Sequence, residues 1–225
     1  MQIAGIQKNS LIDFPGKISI VVFTPNCNMN CFYCHNQILI SNNNAELIET
    51  DAFFKIIKKR KFFLDGVVIT GGEPTLQKDL EDFIKKVKDL GYLVKLDTNG
   101  TNPKVIESLI NENLVDYIAM DVKAPFSKYN EVCGVDINIA NIKRSIEILK
   151  KGIVDYEFRT TVTPNLDMGD FYKIAYNLAG ARLYVLQKCR EVKGLDFKIT
   201  YDDKYLIDIA SKIKYYVQKI TIRGI

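Results

Sequence analysis

Three cysteines, Cys27, Cys31 and Cys34, fall at C-x3-C-x2-C spacing in the run Cys27-Asn28-Met29-Asn30-Cys31-Phe32-Tyr33-Cys34-His35-Asn36. Thiolates are soft ligands that suit iron-sulfur clusters or zinc. A cubane cluster has four irons, so three cysteines leave one iron open to a substrate or cofactor. Structural zinc needs a fourth ligand, which only His35, the sole histidine, or the distant Cys133 or Cys189 could supply. His35 directly follows Cys34 and would have to fold back sharply onto the same metal. Three readings stand at this point: an open-iron cluster, a zinc site and unligated thiols. Five cysteines, three of them clustered, suit a metal site better than a disulfide framework and predict a reducing compartment, with cytoplasm as the default. Cys133 and Cys189 lie singly and read as ordinary thiols.

Further candidates follow apolar runs. VVIT ends in Gly71-Gly72-Glu73-Pro74, where the missing side chains allow close backbone approach and Glu73 could meet an ammonium; an ordinary strand-ending turn is the alternative. The segments Lys95-Leu96-Asp97-Thr98-Asn99-Gly100 and Tyr117-Ile118-Ala119-Met120-Asp121-Val122-Lys123 both put carboxylates at strand ends; a Thr-Asn-Gly turn and a surface loop are the lesser alternative. Arg159 begins Arg-Thr-Thr-Val, and its fork suits either a ligand carboxylate or an ion pair with Glu157, on the same strand face.

The elements that must position these residues alternate. Strands are predicted near Ile18 to Phe23, Gly66 to Thr70, Tyr92 to Asp97, Tyr117 to Asp121, Tyr156 to Val162 and Leu183 to Gln187. Helices are predicted near Ala45 to Lys59, Leu76 to Leu90, Pro103 to Glu112, Ile139 to Lys151, Met168 to Leu178 and Asp203 to Gln218. The strands are almost continuously apolar, as in a parallel sheet buried on both faces. In the second helix Leu80, Phe83, Ile84, Val87 and Leu90 share one face. Repeated βα units give an open doubly wound sheet or a barrel, and periodicity does not choose between them. Lys219 to Ile225 could add an edge strand. The cysteines follow the first strand, at the strand ends where α/β folds build their sites.

The 225 residues read as one domain, with a short N-terminal extension and a C-terminal helix and strand. A net charge of +4 from 31 basic and 27 acidic residues, interleaved along helices, is a solvated surface and excludes a nucleic-acid footprint. The N-terminus lacks a leader pattern, and no apolar run is long enough to span a membrane.

Cys27 to Cys34 together with Gly71-Gly72-Glu73-Pro74, in this order and on these strands, resembles the radical S-adenosylmethionine (SAM) superfamily. The resemblance implies a partial (β/α)6 barrel of parallel strands, a 4Fe-4S cluster on Cys27, Cys31 and Cys34, and S-adenosyl-L-methionine chelated by the open iron. It also implies that Tyr33 lies against the adenine. LDTNG and DxK look like motifs of the branch that activates glycyl radical enzymes. By that likeness Asp97, Thr98 and Asp121 would help bind a monovalent cation and the cofactor's polar end, and Lys123 would face the cofactor or a partner peptide. Gly5 to Lys17, followed by VVFTPNCNMNCFYCHN, closely resembles the activases of anaerobic ribonucleotide reductase; the similarity runs to about Thr163 and then weakens. SLIDFPG within it reads from physics alone as a turn.

The likeness implies a flavodoxin or ferredoxin as electron donor, and a 5'-deoxyadenosyl radical that takes a glycine hydrogen from the partner enzyme. The auxiliary-cluster cysteines of many such activases are missing, which implies a single cluster. Lys8 to Lys17 and the loop Pro125 to Cys133 are candidate partner-gripping segments. The rivals are a radical enzyme with a small substrate, such as a deazapurine-forming enzyme, and a zinc-stabilised binding module.

Overall fold

A computed structural model describes residues 1–37, 47–191 and 198–225. One eight-stranded sheet runs in sequence order: β1 Gly5–Ser10, β2 Ser19–Thr24, β3 Gly66–Gly71, β4 Leu93–Thr98, β5 Tyr117–Asp121, β6 Asp155–Val162, β7 Tyr184–Lys188 and β8 Ile220–Arg223. Pairing is parallel from β2 to β8, and β1 alone is antiparallel, against β2. The six strands expected from the sequence are β2 to β7. The expected C-terminal edge strand is β8, which extends the parallel run to seven.

The antiparallel β1 was not predicted. Gly5-Ile6-Gln7-Lys8-Asn9-Ser10 forms an edge whose middle is exposed, so the apolar alternation that marks a strand is missing. The segment after it is a turn, as expected, but not an idle one. The Ser10 hydroxyl accepts from the Ile12 and Asp13 N–H groups, and Phe14 is carried into the concave side of the sheet. There Phe14 packs with Val21 and Val68 as a small cluster separate from the main core. Phe14→Ala removes this plug, and a loss of about 3–5 kcal/mol in urea unfolding is expected, as for a buried aromatic truncated in a packed core.

The helices are α1 Thr50–Lys59, α2 Leu80–Asp89, α3 Pro103–Asn111, α4 Tyr129–Cys133, α5 Ile139–Lys150, α6 Met168–Asn177 and α7 Asp203–Ile213. Their apolar stripes cover the convex side: Leu80, Phe83, Ile84 and Val87 of α2 are buried in the main core with Ile20, Ile69, Leu96 and Phe158 from alternate strand positions. Two helices are shorter than the periodicity suggests. Pro74–Leu76 forms a separate 3-10 turn ahead of α2, and Lys214–Tyr216 another after α7. The predicted first helix began at residues 45–46, outside the described residues; Ile48 instead makes a β-bridge to Ile3 before α1 begins. Short α4, ended by Gly134 at φ +66°, was not anticipated.

Alternation along the parallel strands turns the other side chains inward in layers. Phe14, Val21 and Val68 form the floor. Above them Lys95, Asp97, Asp121, Glu157 and Arg159 form a charged layer, and the loops after β2 to β7 form the rim. Among the described residues no helix is long and apolar enough to cross a membrane.

Candidate active site

A cavity of about 390 Å³ opens above the charged layer. Its wall includes Cys27, Cys31, Tyr33, Cys34, Gly71, Gly72, Asp97, Thr98, Asp121, Lys123 and Arg159, so eleven of the twelve residues singled out in the sequence meet in one place. It shares Asp13, His35, Arg159, Thr161 and Gln187 with a second chamber of about 600 Å³, which reaches Ile12 on one side and Lys188, Arg190 and Arg223 on the other. The two form one space open towards the unpaired flank between β1 and β8.

The cysteine loop is tied down at several points. Asn26, at φ +66°, accepts from the Glu73 N–H at 2.8 Å, and Gly72 N–H donates to the Thr24 carbonyl at 2.9 Å. A methyl group on Gly72 would come within 1.8 Å of the Asn26 oxygen, and one on Gly71, at φ +115°, within 2.4 Å of the Thr24 nitrogen. The two glycines therefore let the β3 turn press against the backbone that leads into Cys27. On the other side the Asn30 N–H donates to the Cys133 carbonyl at 2.8 Å, and Gly134 sits where a side chain would strike the Asn30 oxygen.

All five cysteines are free thiols. Burial pushes the Cys27 thiol up to about 11 and raises that of Cys34. Cys31 differs: a hydrogen bond with the Cys133 side chain outweighs burial and lowers its thiol to about 7. The Lys123 ammonium favours the thiolate at all three positions. Cys133, read from sequence as an ordinary thiol, is thus a neighbour of the cluster loop. No local sequence signal could show this, because about a hundred residues separate it from Cys31. Cys189 is buried and its N–H donates to the Tyr201 hydroxyl.

Glu73 lies behind the cavity wall. Fully buried, its carboxylate accepts from the Thr75 N–H and hydroxyl, the Thr98 hydroxyl at 2.7 Å and the Asn99 N–H at 2.7 Å. Burial raises its pKa against those four bonds. Glu73 thereby joins the β3 turn to the β4 turn from behind the cavity wall. Thr98 donates its hydroxyl hydrogen to the same carboxylate.

The charged layer is held by a network of buried ion pairs. Arg159 donates from Nε to Asp121 at 2.7 Å and from Nη1 to Asp97 at 3.1 Å; Lys95 pairs with Asp97, and Lys123 with Asp121 at 2.9 Å. Burial alone would raise both aspartates, but Arg159 together with Lys95 or Lys123 holds them below the ordinary 3.8. Three cations thus serve two carboxylates, and both Asp97 and Asp121 still line the cavity. Glu157, the alternative partner for Arg159, is taken by Arg223 in a bidentate pair at 2.6 and 2.7 Å and by the Tyr117 hydroxyl.

The network has a pH signature. A depressed folded pKa contributes stability that is present above the unfolded value and lost as pH falls through the folded one. Urea midpoints of the cluster-free chain should therefore hold between pH 7 and about 5 and fall below about 4. The double substitution Asp97→Asn, Asp121→Asn should flatten that fall. Glu73 acts with the opposite sign, since its raised pKa favours the folded state below its ordinary 4.5 and disfavours it as pH rises through the folded value.

A mostly parallel α/β sheet carrying a cysteine loop at its carboxyl rim, over a cavity floored by charge, defines a cofactor-dependent enzyme class. The description "Radical SAM superfamily" matches residues 21–175. This chain belongs to the radical SAM superfamily, and it is a radical SAM enzyme.

It is 37% identical over 239 residues to a "Putative glycyl-radical enzyme activating enzyme" of Methanocaldococcus jannaschii, covering 99% of this chain and 96% of that protein. A "Probable GTP 3',8-cyclase" of Saccharolobus solfataricus is 28% identical over 211 residues, 90% of this chain and 65% of that one. The fold is shared with Streptococcus suis SuiB, at TM-score 0.66 and 17% identity over 91% of this chain; the chain spans about half of SuiB, 48%. It is also shared with a domain of a pyruvate-formate lyase-activating enzyme from Bacteroides vulgatus, at TM-score 0.55 and 19% identity, covering 71% of this chain and 99% of that one.

The family implies a 4Fe-4S cluster and SAM, and the residues present fit them. Three free thiols line one wall, and beside them the Tyr33 hydroxyl is buried in the cavity wall without a hydrogen-bond partner. A buried orphan hydroxyl is costly and marks a place where a polar ligand group is missing.

Proposed function

We propose that this enzyme is an activase that generates a glycyl radical in a partner enzyme, most specifically an anaerobic ribonucleoside-triphosphate reductase. The carrying observation is the convergence of three free cysteines, the orphan Tyr33 hydroxyl and a cationic network on one cavity that opens sideways to solvent. The 37% identity to the archaeal protein over nearly the whole of both chains, and the opening segment Gly5 to Lys17, support the choice of branch.

In this reading Cys27, Cys31 and Cys34 hold the cluster, and Tyr33 borders the adenine. Gly71 and Gly72 fix the path of the cysteine loop, while Glu73 and Thr98 brace the turns beneath the cofactor. Lys95, Arg159 and Lys123 against Asp97 and Asp121 leave one positive charge in excess, which suits the carboxylate of the cofactor's methionine moiety. Once bound and given one electron from a flavodoxin or ferredoxin, the cluster and cofactor would supply the radical chemistry that takes the α-hydrogen of a glycine. The protein's part is to orient the cofactor and exclude water around it.

The test is anaerobic incubation of the reconstituted enzyme with SAM, a reductant and the reductase, followed by electron paramagnetic resonance. A glycyl doublet in the reductase, dependent on all three components, is expected; cofactor cleavage that never yields the doublet would overturn the assignment. A small substrate is the second reading. It is favoured by the side chamber, whose lining includes Arg190, and by the likeness to a GTP cyclase. It predicts that a nucleotide, rather than a protein, accelerates cleavage.

A further inference from the structure

Helix α1 ends in Lys58 and Lys59, and the chain continues Arg60-Lys61-Phe62-Phe63 before Leu64 enters the core. The Phe63 and Leu64 N–H groups both donate to the Arg60 carbonyl, and this tight turn leaves Phe62 96% and Phe63 70% exposed. The turn is fastened to its surroundings. Arg60 donates to the Lys8 carbonyl at 2.8 Å and to the Asn9 side chain, while Asp65 bonds the Ile18 backbone through its own N–H and its carboxylate. Beyond buried Ser10, Leu11 is 73% and Ile12 83% exposed, and Ile12 lines the side chamber. A ledge of exposed residues at the amino-terminal end of the parallel strands thus links Ile12, at the chamber, to the end of α1 through the Arg60 bonds to Lys8 and Asn9.

Its charge is predominantly positive. Lys8, Lys17, Lys58, Lys59 and Lys61 are exposed and make no ion pair among the described residues. The nearby carboxylates are Asp65, which accepts from the Ile18 N–H, and Asp13, which accepts from the Ser10 hydroxyl, so the basic residues outnumber the acidic ones. Clustered exposed apolar side chains rimmed by charge of one sign mark an interaction surface, and the complement is an acidic face with an apolar recess.

We propose that this ledge, with Phe62 and Phe63 as anchors, docks an acidic face of the partner protein whose segment enters the side chamber. The proposal rests on the activase reading. Continuity with the chamber mouth favours a protein over an anionic lipid surface, because a docked protein can send a segment into the chamber and a bilayer cannot. Binding energy would then come from the ledge, away from the reacting atoms.

The rate of glycyl radical formation, measured against the concentration of anaerobic ribonucleoside-triphosphate reductase, tests it. For Lys58→Glu, Lys59→Glu, Lys61→Glu combined with Phe62→Ser, KM for the reductase should rise roughly tenfold or more with kcat unchanged, and its salt dependence should flatten. Cofactor cleavage without the reductase should match wild type, which also shows that the variant folds and holds its cluster. Lys8→Glu with Lys17→Glu, on the other side of the ledge, should move KM in the same direction. Unchanged KM in both variants overturns the proposal, as does binding of wild type to phosphatidylglycerol vesicles that the variants lose while KM stays put. A wild-type enzyme that cleaves SAM yet forms no radical in the reductase removes the activase reading itself, and the docking proposal with it.

Discussion

Gly72→Ala is expected to reduce 5'-deoxyadenosine formation about 100-fold, the order of loss that follows when a reacting group is misplaced by about 1 Å. The added methyl would meet the Asn26 oxygen at 1.8 Å and its carbonyl carbon at 2.5 Å, both backbone atoms that no rotamer change can move aside. Asn26 is already in the left-handed region and immediately precedes Cys27, so the displacement passes directly to the first cluster ligand. Cluster content, read from iron per chain and visible absorbance, should fall with activity. Gly91→Ala is the control: Gly91 also has positive φ, at +80°, but open space around its missing Cβ, so it should lose some stability and keep its cluster. Equal cluster content in the two variants would contradict the fit between the diglycine turn and the cysteine loop.

Arg159→Leu is expected to cost about 3–5 kcal/mol at pH 7, the usual penalty for removing one partner from a buried ionic network. Its guanidinium is the single group shared by Asp97 and Asp121, and without it each carboxylate keeps one lysine. The cost should shrink near pH 4, where carboxylates deprived of the arginine can take up protons. Adding Asp97→Asn should recover part of the loss, because the two positions are in contact and their effects do not add. Urea denaturation of the cluster-free chain measures this. A penalty below about 1 kcal/mol at pH 7 would mean that the network is solvated like a surface pair.

Much of this architecture was legible from local pattern. VVFT, VVIT and YIAM are almost continuously apolar because most of β2, β3 and β5 is buried, and the α2 stripe survives intact as a buried face. The cysteine loop was legible because its ligand-type residues are adjacent in sequence. What escaped depends on distance or on exposure. The edge strand β1 has an exposed, polar middle, and so lacks a strand's alternation. Phe14 reads as part of a turn until the sheet curves around it.

Glu73 and Arg159 were recognised as residues that matter, but their partners were not. Choosing Asp97 and Asp121 over Glu157 for Arg159 requires knowing that β4, β5 and β6 lie side by side in that register. Lys95, buried at the centre of the charged layer, looks from its neighbours like an ordinary strand lysine. Its role is set by the carboxylate two residues on, which faces the same interior.

Electron paramagnetic resonance of the anaerobically reconstituted, dithionite-reduced chain, recorded before and after addition of SAM, tests the central claim most directly. A reduced-cluster signal that shifts on addition, accompanied by 5'-deoxyadenosine and abolished by Cys31→Ala, is the predicted result. A colourless protein that retains stoichiometric zinc, gives no signal and resists reconstitution would contradict the account.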